Sequence, residues 1–321
     1  MRIDVHNHAI PQSALDVLER DDVYGVQIEG TRWRGGAHVD FAIVSSFVDP
    51  AAKLAELESK GLEGAVVSAA PPLFSYHVAP EAGEALARAT NQGLAAFAAY
   101  HPDRLRWMAH VPLQSVERAV RVLQEAAQAG AVGVEIATSI AGRRLDEPEF
   151  EPFWAVVERL GLPVMIHPAY NEPSRALDRY YLQNVIGNLL ETTVAIERLI
   201  AAGVLDRHPA LQILLVHAGG YFPYQAGRLR HACRVRPELA SAPDDPWTYL
   251  DRLFFDTITH DLPALRYLIA RVGTDRVLLG SDLPFDMATP QPVSALQEAV
   301  DGETAQRIAE HNPARLYGFA G

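Results

Sequence analysis

A single cysteine, Cys233, in 321 residues excludes any disulfide within the chain. Although 49% of the residues are hydrophobic, no stretch approaches the ~18 consecutive apolar residues of a membrane-spanning helix. Basic side chains are in deficit, 28 against 40 acidic, for a formal net charge of −12. Without clustered Lys and Arg there is no footprint for a phosphate backbone or an anionic bilayer, so nucleic-acid and membrane partners are not expected. Internal repeats, low-complexity tracts and interdomain linkers are absent from the sequence. The opening MRIDVHNH lacks the basic and apolar regions of a secretory signal. The expectation is a cytoplasmic protein with one domain over residues 1–321.

What the sequence does contain is a regular alternation. Eight short apolar runs, rich in β-branched residues, begin at Arg2, Gly64, Leu105, Ala131, Leu162, Leu211, Leu253 and Arg276. Between them lie segments such as SVERAVRVLQEAAQAG and PALRYLIARVG, whose apolar residues fall three and four apart as on amphipathic helices. Gly130, Gly161 and Gly273 follow such segments as helix caps would. Runs that are continuously apolar belong to strands buried on both faces. Eight of them predict an α/β fold, a (β/α)8 TIM barrel, with long irregular insertions after strand 1 (residues 9–50) and strand 5 (residues 168–188). The first insertion contains GTRWRGG, which reads equally as part of a lid or as a plain surface hairpin.

Barrel enzymes assemble their sites where strands end at the C-terminal face, and ligand-type residues recur at those places. His6 and His8 follow the first run; two residues apart in extended chain, their imidazoles face the same side. Neutral imidazoles suit a borderline divalent cation. His167 ends the fifth run and His217 the sixth. Either alone reads equally as a satisfied structural histidine, but with the first pair they imply a constellation. Asp282, in GSDLPF after the eighth run, reaches the same place because the eighth strand of a closed barrel adjoins the first.

Together with the strings VPLQ, VMIHP, HAGG and GSDLPF, these residues resemble the amidohydrolase superfamily. More narrowly they resemble its decarboxylase branch, the group of the 2-amino-3-carboxymuconate 6-semialdehyde and γ-resorcylate-type decarboxylases. The resemblance runs from Arg2 to the terminal HNPARLYGF. It implies one divalent metal, zinc first and manganese as the alternative, held by His6, His8, His167 and Asp282, with His217 as catalytic acid or base. Many members bridge two metals with a carboxylated lysine at the end of the fourth strand. Here that strand reads AVGVEIAT, without lysine, which favours one metal and leaves Glu135 as a supporting or structural residue. The carboxymuconate enzymes carry a substrate-binding arginine where this chain has Ala42, in FAIVSSFVDP. A second family arginine, eleven residues beyond the HAGG histidine, is matched by Arg228 and implies a homodimer in which it reads a carboxylate in the neighbouring subunit's site; a helix-surface arginine is the alternative.

Phe74, Tyr76, Asn184 and Phe285 are further candidates to line a flat, unsaturated substrate, with packing as their alternative role. His110 and His260 stand near strand ends as weaker substrate contacts. His38, His77, His101, His208, His231 and His311 read as structural. The resulting expectation is a metal-dependent decarboxylase acting on a small carboxylate, with Asp282 and His217 handling the proton. A hydrolase or hydratase of a related acid, lactone or amide uses the same groups and remains open. So does a metal-binding protein without turnover, although a structural zinc site is normally closed by four protein ligands and leaves His217 without a purpose.

Overall fold

The computed structural model describes residues 1–35, 39–169, 175–240, 242–243 and 245–319. Eight parallel strands pair in chain order: β1 (Ile3–Ala9), β2 (Gly64–Ala69), β3 (Leu105–His110), β4 (Gly133–Ala137), β5 (Val164–His167), β6 (Ile213–Leu215), β7 (Leu253–Asp256) and β8 (Val277–Leu278). Main-chain bonds then bring the ends of the sheet together. Val5 N donates to Leu279 O at 2.9 Å, Asp282 N to His6 O at 2.8 Å, and His8 N to Leu283 O at 2.8 Å. The chain forms a (β/α)8 barrel, as its eight apolar runs predict.

A helix follows each strand: α1 (Pro50–Ser59), α2 (Pro80–Ala99), α3 (Val116–Gln128), α4 (Glu151–Leu160), α5 (Leu189–Ala201), α6 (Phe222–Val235), α7 (Leu262–Val272) and α8 (Pro292–Ala299). Their packing follows sequence periodicity. In α3, Ala119, Val122, Leu123 and Ala126 are the buried residues, a three-and-four spacing that puts one stripe against the sheet. Asp261 starts α7 by accepting a hydrogen bond from Ala264 N at 2.9 Å. Inside the barrel, Ile3, Val5, Val66, Met108, Met165 and Leu214 form a plug closed by Tyr317 and Phe319 from the C-terminal segment. The larger apolar layer lies between strands and helices.

The expectation of irregular chain between residues 9 and 50 is overturned. A helix, Gln12–Arg20, is followed by a three-stranded antiparallel sheet of Val26–Glu29, Arg32–Gly35 and Val39–Ala42. Each strand alternates its more buried and more exposed residues with period two, a signal too short to stand out beside the glycines of GTRWRGG. Trp33 is buried and stacks on Phe41 at 5.8 Å, and Phe41 in turn meets Phe285 at 5.5 Å. The sheet therefore packs on the barrel mouth. His38 lies outside the described residues. The stretch after β5 is described in part; it resumes at Arg175–Leu177 and enters α5 through a π-helical turn, Gln183–Asn188.

Candidate metal centre

His6 and His8 lie within β1, not beyond it. The pairing of β1 with β2 slips between Asp4 and Asn7. Ile3 and Val5 point into the interior plug, and past the slip the inward positions pass to His6 and His8, the re-aiming that a bulge provides. His167 is the last residue of β5. His217 and Asp282 stand in turns beyond β6 and β8, with positive φ of 51° and 69°. Non-glycine residues are held in that region only where their surroundings compel it, commonly at functional sites.

One potential ligand atom from each of His6, His8, His167 and Asp282 lies within 4.8 Å of the others, and all four residues are buried. The hydrogen bonds on the far side of each ring explain which nitrogen is offered. His6 Nδ1 bonds Asp256 Oδ2 at 2.8 Å, and His167 Nδ1 bonds Pro168 O at 2.6 Å. His8 Nδ1 faces Ala69 O at 3.3 Å and Ser68 Oγ at 3.2 Å. With Nδ1 carrying the proton, each Nε2 presents a lone pair inward. His6 Nε2 and His8 Nε2 consequently face each other at 3.1 Å, and His167 Nε2 is buried without any hydrogen-bond partner. Lone pairs converging in a buried place suit a cation held between them.

The charges agree. Burial lowers the pKa of His8 to about 4, against the opposing pull of Asp282. Burial, reinforced by His6, His8 and His217, holds His167 well below the usual imidazole range. For Asp282, burial acts upward, but the facing imidazoles of His6, His217 and His8 hold its carboxyl well below the ordinary range. His6 shows the opposite balance: burial lowers it, yet Asp282 and Asp256 raise it on balance. The centre thus combines a fixed carboxylate with imidazoles of which two resist protonation.

His217 stands beside this group. Its Nε2 is 3.5 Å from Asp282 Oδ2, and its ring centre is 5.2 Å from that of His6. The residue that positions it is one sequence reasoning missed. Asp256, fully buried at the end of β7, accepts from His6 Nδ1, from His217 N at 2.9 Å, from Ala218 N at 2.7 Å and from Ile258 N at 3.1 Å. One carboxylate therefore fixes both an imidazole of the cluster and the backbone turn that carries His217. The available signal was the run LFFD, an acid finishing a barrel strand. Asp4 was also missed; it accepts from Ser281 N at 3.0 Å and Asn7 Nδ2 at 2.7 Å, tying β1 to the segment bearing Asp282. Lys53, fully buried, donates to His8 O at 3.0 Å.

The glycines of HAGG have a steric reason. Gly220 has φ 61° and ψ −130°, a conformation essentially restricted to glycine, and a Cβ there would strike Leu189 O in the backbone of α5. Gly220→Ala is expected to destabilise the fold by roughly 2 kcal/mol or more. Thermal or urea unfolding measures it, and a stability equal to that of the unmodified chain would refute the steric account.

Two cavity lobes meet at His217 and Asp282. The smaller, of about 160 Å³, is walled by His167, Phe41 and Phe285; the larger, of about 410 Å³, runs outward between α5, α6 and α7. Asn184 lines both. Phe285 also packs on His8 at 5.4 Å. Phe74 and Tyr76 line neither lobe; they are buried and stacked on each other at 5.6 Å, with Phe74 stacked on His110. His260 stands exposed on the wall of the larger lobe. Glu135 is fully buried 3.9 Å from His8 Nδ1, and burial holds its carboxyl well above the usual range. Arg228 lies exposed on α6 and lines neither lobe, and Ala42 is exposed at the end of its strand.

A family model described as amidohydrolase matches residues 3–319. The chain belongs to the amidohydrolase family. It is 28% identical to a 2-amino-3-carboxymuconate-6-semialdehyde decarboxylase of Dictyostelium discoideum over 326 residues, 97% of this chain and 86% of that protein. It is 30% identical to a γ-resorcylate decarboxylase of Rhizobium sp. (strain MTP-10005) over 281 residues, 82% and 83% of the two chains. Among solved structures, a 5-carboxyvanillate decarboxylase of Novosphingobium aromaticivorans, complexed with manganese and a nitrobenzoic acid, superposes with a TM-score of 0.81 at 22% identity. The match covers 99% of this amidohydrolase and 96% of that chain. That last likeness is one of fold.

Proposed function

We propose that this amidohydrolase is a metal-dependent, non-oxidative decarboxylase of a carboxylated aromatic or muconate-semialdehyde-type small acid. The observation that carries the reading is the buried convergence of His6, His8, His167 and Asp282 beside His217, in a chain whose matching relatives are decarboxylases. Three imidazole nitrogens and one carboxylate oxygen, with an unpartnered lone pair on His167, fit one divalent ion. Zinc suits that donor set, and manganese is the alternative. When bound, the ion supplies Lewis acidity, orienting a phenolate or enolate oxygen and the carboxylate of the substrate and stabilising negative charge.

The chain's own residues supply the proton. The carbon that loses CO2 must gain one as the carbon–carbon bond breaks. Proton delivery falls to the pair formed by His217 Nε2 and Asp282 Oδ2, 3.5 Å apart beside the metal-binding group. Hydrolysis of a lactone or amide needs the same groups, and the relatives favour the lyase. A protein that merely held a metal would have no use for His217 at the junction of two cavity lobes. The direct test is CO2 release by metal-loaded protein from a panel of hydroxybenzoates and muconic semialdehydes. Turnover of lactones or amides without any CO2 would replace this reading with the hydrolase.

Beside the metal, a substrate carboxylate is gripped further by a guanidinium, and no lysine or arginine lines either lobe among the described residues. Arg228 fills that need in a homodimer, by reaching into the neighbouring site from α6. A guanidinium grips a carboxylate at two points, which lysine cannot copy. Arg228→Lys is therefore expected to lower kcat/KM by ~1 to 3 kcal/mol. Mixing inactive His217→Asn chains with inactive Arg228→Ala chains should restore part of the activity, since one hybrid site receives both intact residues. A strictly monomeric protein, or no recovery after verified subunit exchange, would withdraw Arg228 from that role.

A further inference from the structure

The two lobes differ in a way that one small ring does not explain. At about 160 Å³ the inner lobe falls below the roughly 300 to 1,000 Å³ of ordinary ligand pockets, whereas the outer lobe, at about 410 Å³, lies within that range. A carboxylated ring seated against His167 and Phe285 therefore leaves the outer lobe vacant. The greater part of its wall is apolar, from Leu189 on α5, Pro223 and Tyr224 on α6, Ile258 beyond β7, and Tyr267 and Leu268 on α7. Tyr224 and Tyr267 meet at 6.1 Å and are 79% and 46% exposed, so the lobe has an apolar rim that no other described residue covers. Among the described residues lining the lobe there is no lysine or arginine, and Asp282 is the one carboxylate. A second anionic group on the substrate would find no fixed positive charge there, only neutral donors such as Thr259 and the exposed imidazole of His260.

A polar marker stands at the junction. Asn188 lines both lobes, is 6% exposed, and its Oδ1 is buried without a hydrogen-bond partner. Such an oxygen is costly unless a ligand donor reaches it. A ring hydroxyl placed between the lobes would do so.

Resting on the decarboxylase reading above, we infer that the substrate is bipartite: a hydroxylated aromatic monocarboxylate carrying an uncharged alkyl substituent. The ring occupies the inner lobe, a second ring hydroxyl, apart from the oxygen oriented by the metal, donates to Asn188, and the alkyl chain fills the outer lobe beneath Tyr224 and Tyr267. The outer lobe is then the specificity subsite, and the chain discriminates by length of hydrocarbon and not by a second charge.

The experiment uses dihydroxybenzoates, with one hydroxyl beside the carboxylate, bearing hydrogen, methyl, propyl or pentyl on each open ring carbon in turn. Turnover is read as CO2 release by the metal-loaded protein, and binding of the matching alkylphenols is read separately by calorimetry. At one ring position, kcat/KM and phenol affinity should both rise about three- to fourfold per methylene. Ala264 lines the lobe from the exposed first turn of α7, so Ala264→Phe narrows the subsite without touching the core. It should cut the pentyl-to-hydrogen ratio at least tenfold. A flat series at every ring position, or a ratio that Ala264→Phe leaves unaltered, overturns the subsite. The two readings fail separately: chain-length-dependent phenol binding without CO2 from any acid supports the subsite and overturns the decarboxylase. CO2 from the unsubstituted acid with flat series does the reverse.

Discussion

His217→Asn should keep its metal and lose turnover by ~10²-fold or more, the scale of a general acid or base contribution. Asparagine is the substitution that isolates proton transfer. It tolerates the left-handed φ of 51° that His217 adopts, and it leaves the backbone bond from residue 217 to Asp256 in place. What it removes is the titratable nitrogen 3.5 Å from Asp282 Oδ2. A hundredfold loss corresponds to about 2.7 kcal/mol of transition-state stabilisation. Metal content by elemental analysis, run beside His167→Ala as the ligand-deficient control, separates the roles. If His217→Asn lost its metal as completely as the control, His217 would become a ligand. Full activity would make it structural.

Much of this centre was legible because barrel topology converts sequence position into place. Once eight apolar runs are counted, a histidine or aspartate at the end of any run faces one mouth, whatever the sequence separation. His6, His8, His167 and Asp282 converge for that reason. What escaped was set by detail that periodicity does not carry. The slip in β1 between Asp4 and Asn7 is a backbone event, and through it the inward parity passes to His6 and His8. Asp256 ends its run as His167 does, but its work is done through four hydrogen bonds to groups from β1 and from two turns, which no local pattern announces. Phe74 and Tyr76 show the converse. Aromatics after a strand end suggested a substrate wall, whereas both rings are buried, with Phe74 stacked on His110, because filling space at the sheet's edge outweighs exposure at the mouth. Of the sheet over residues 26–42, the hairpin at GTRWRGG was one of two readings the sequence offered, whereas its third strand and its seat on the barrel mouth were not legible, and the walls of the larger lobe come from helices whose sequences give no sign of which face meets that mouth.

One divalent ion per chain is the remaining expectation, and Asp256 offers the sharper test of it. Chelation should abolish activity, with recovery when the metal is restored, and His6→Ala should remove both metal and turnover. Those results alone would not show why His6 offers Nε2. Asp256 Oδ2 accepts the Nδ1 proton of His6 at 2.8 Å, and both residues are fully buried. In Asp256→Asn one acceptor oxygen is replaced by an amide donor, so His6 Nδ1 and the backbone groups of His217, Ala218 and Ile258 compete for a single oxygen. The carboxylate charge that favours a cation nearby is lost as well. Metal affinity should fall about 10- to 100-fold, the usual effect of removing the partner that orients a ligating histidine. Because the turn carrying His217 hangs from the same carboxylate, saturating metal should restore occupancy before it restores full kcat. Titration of the stripped protein, followed by calorimetry and by CO2 release, reads both quantities. Two ions per chain, metal content unaffected by His6→Ala, or unchanged affinity in Asp256→Asn would each contradict the arrangement.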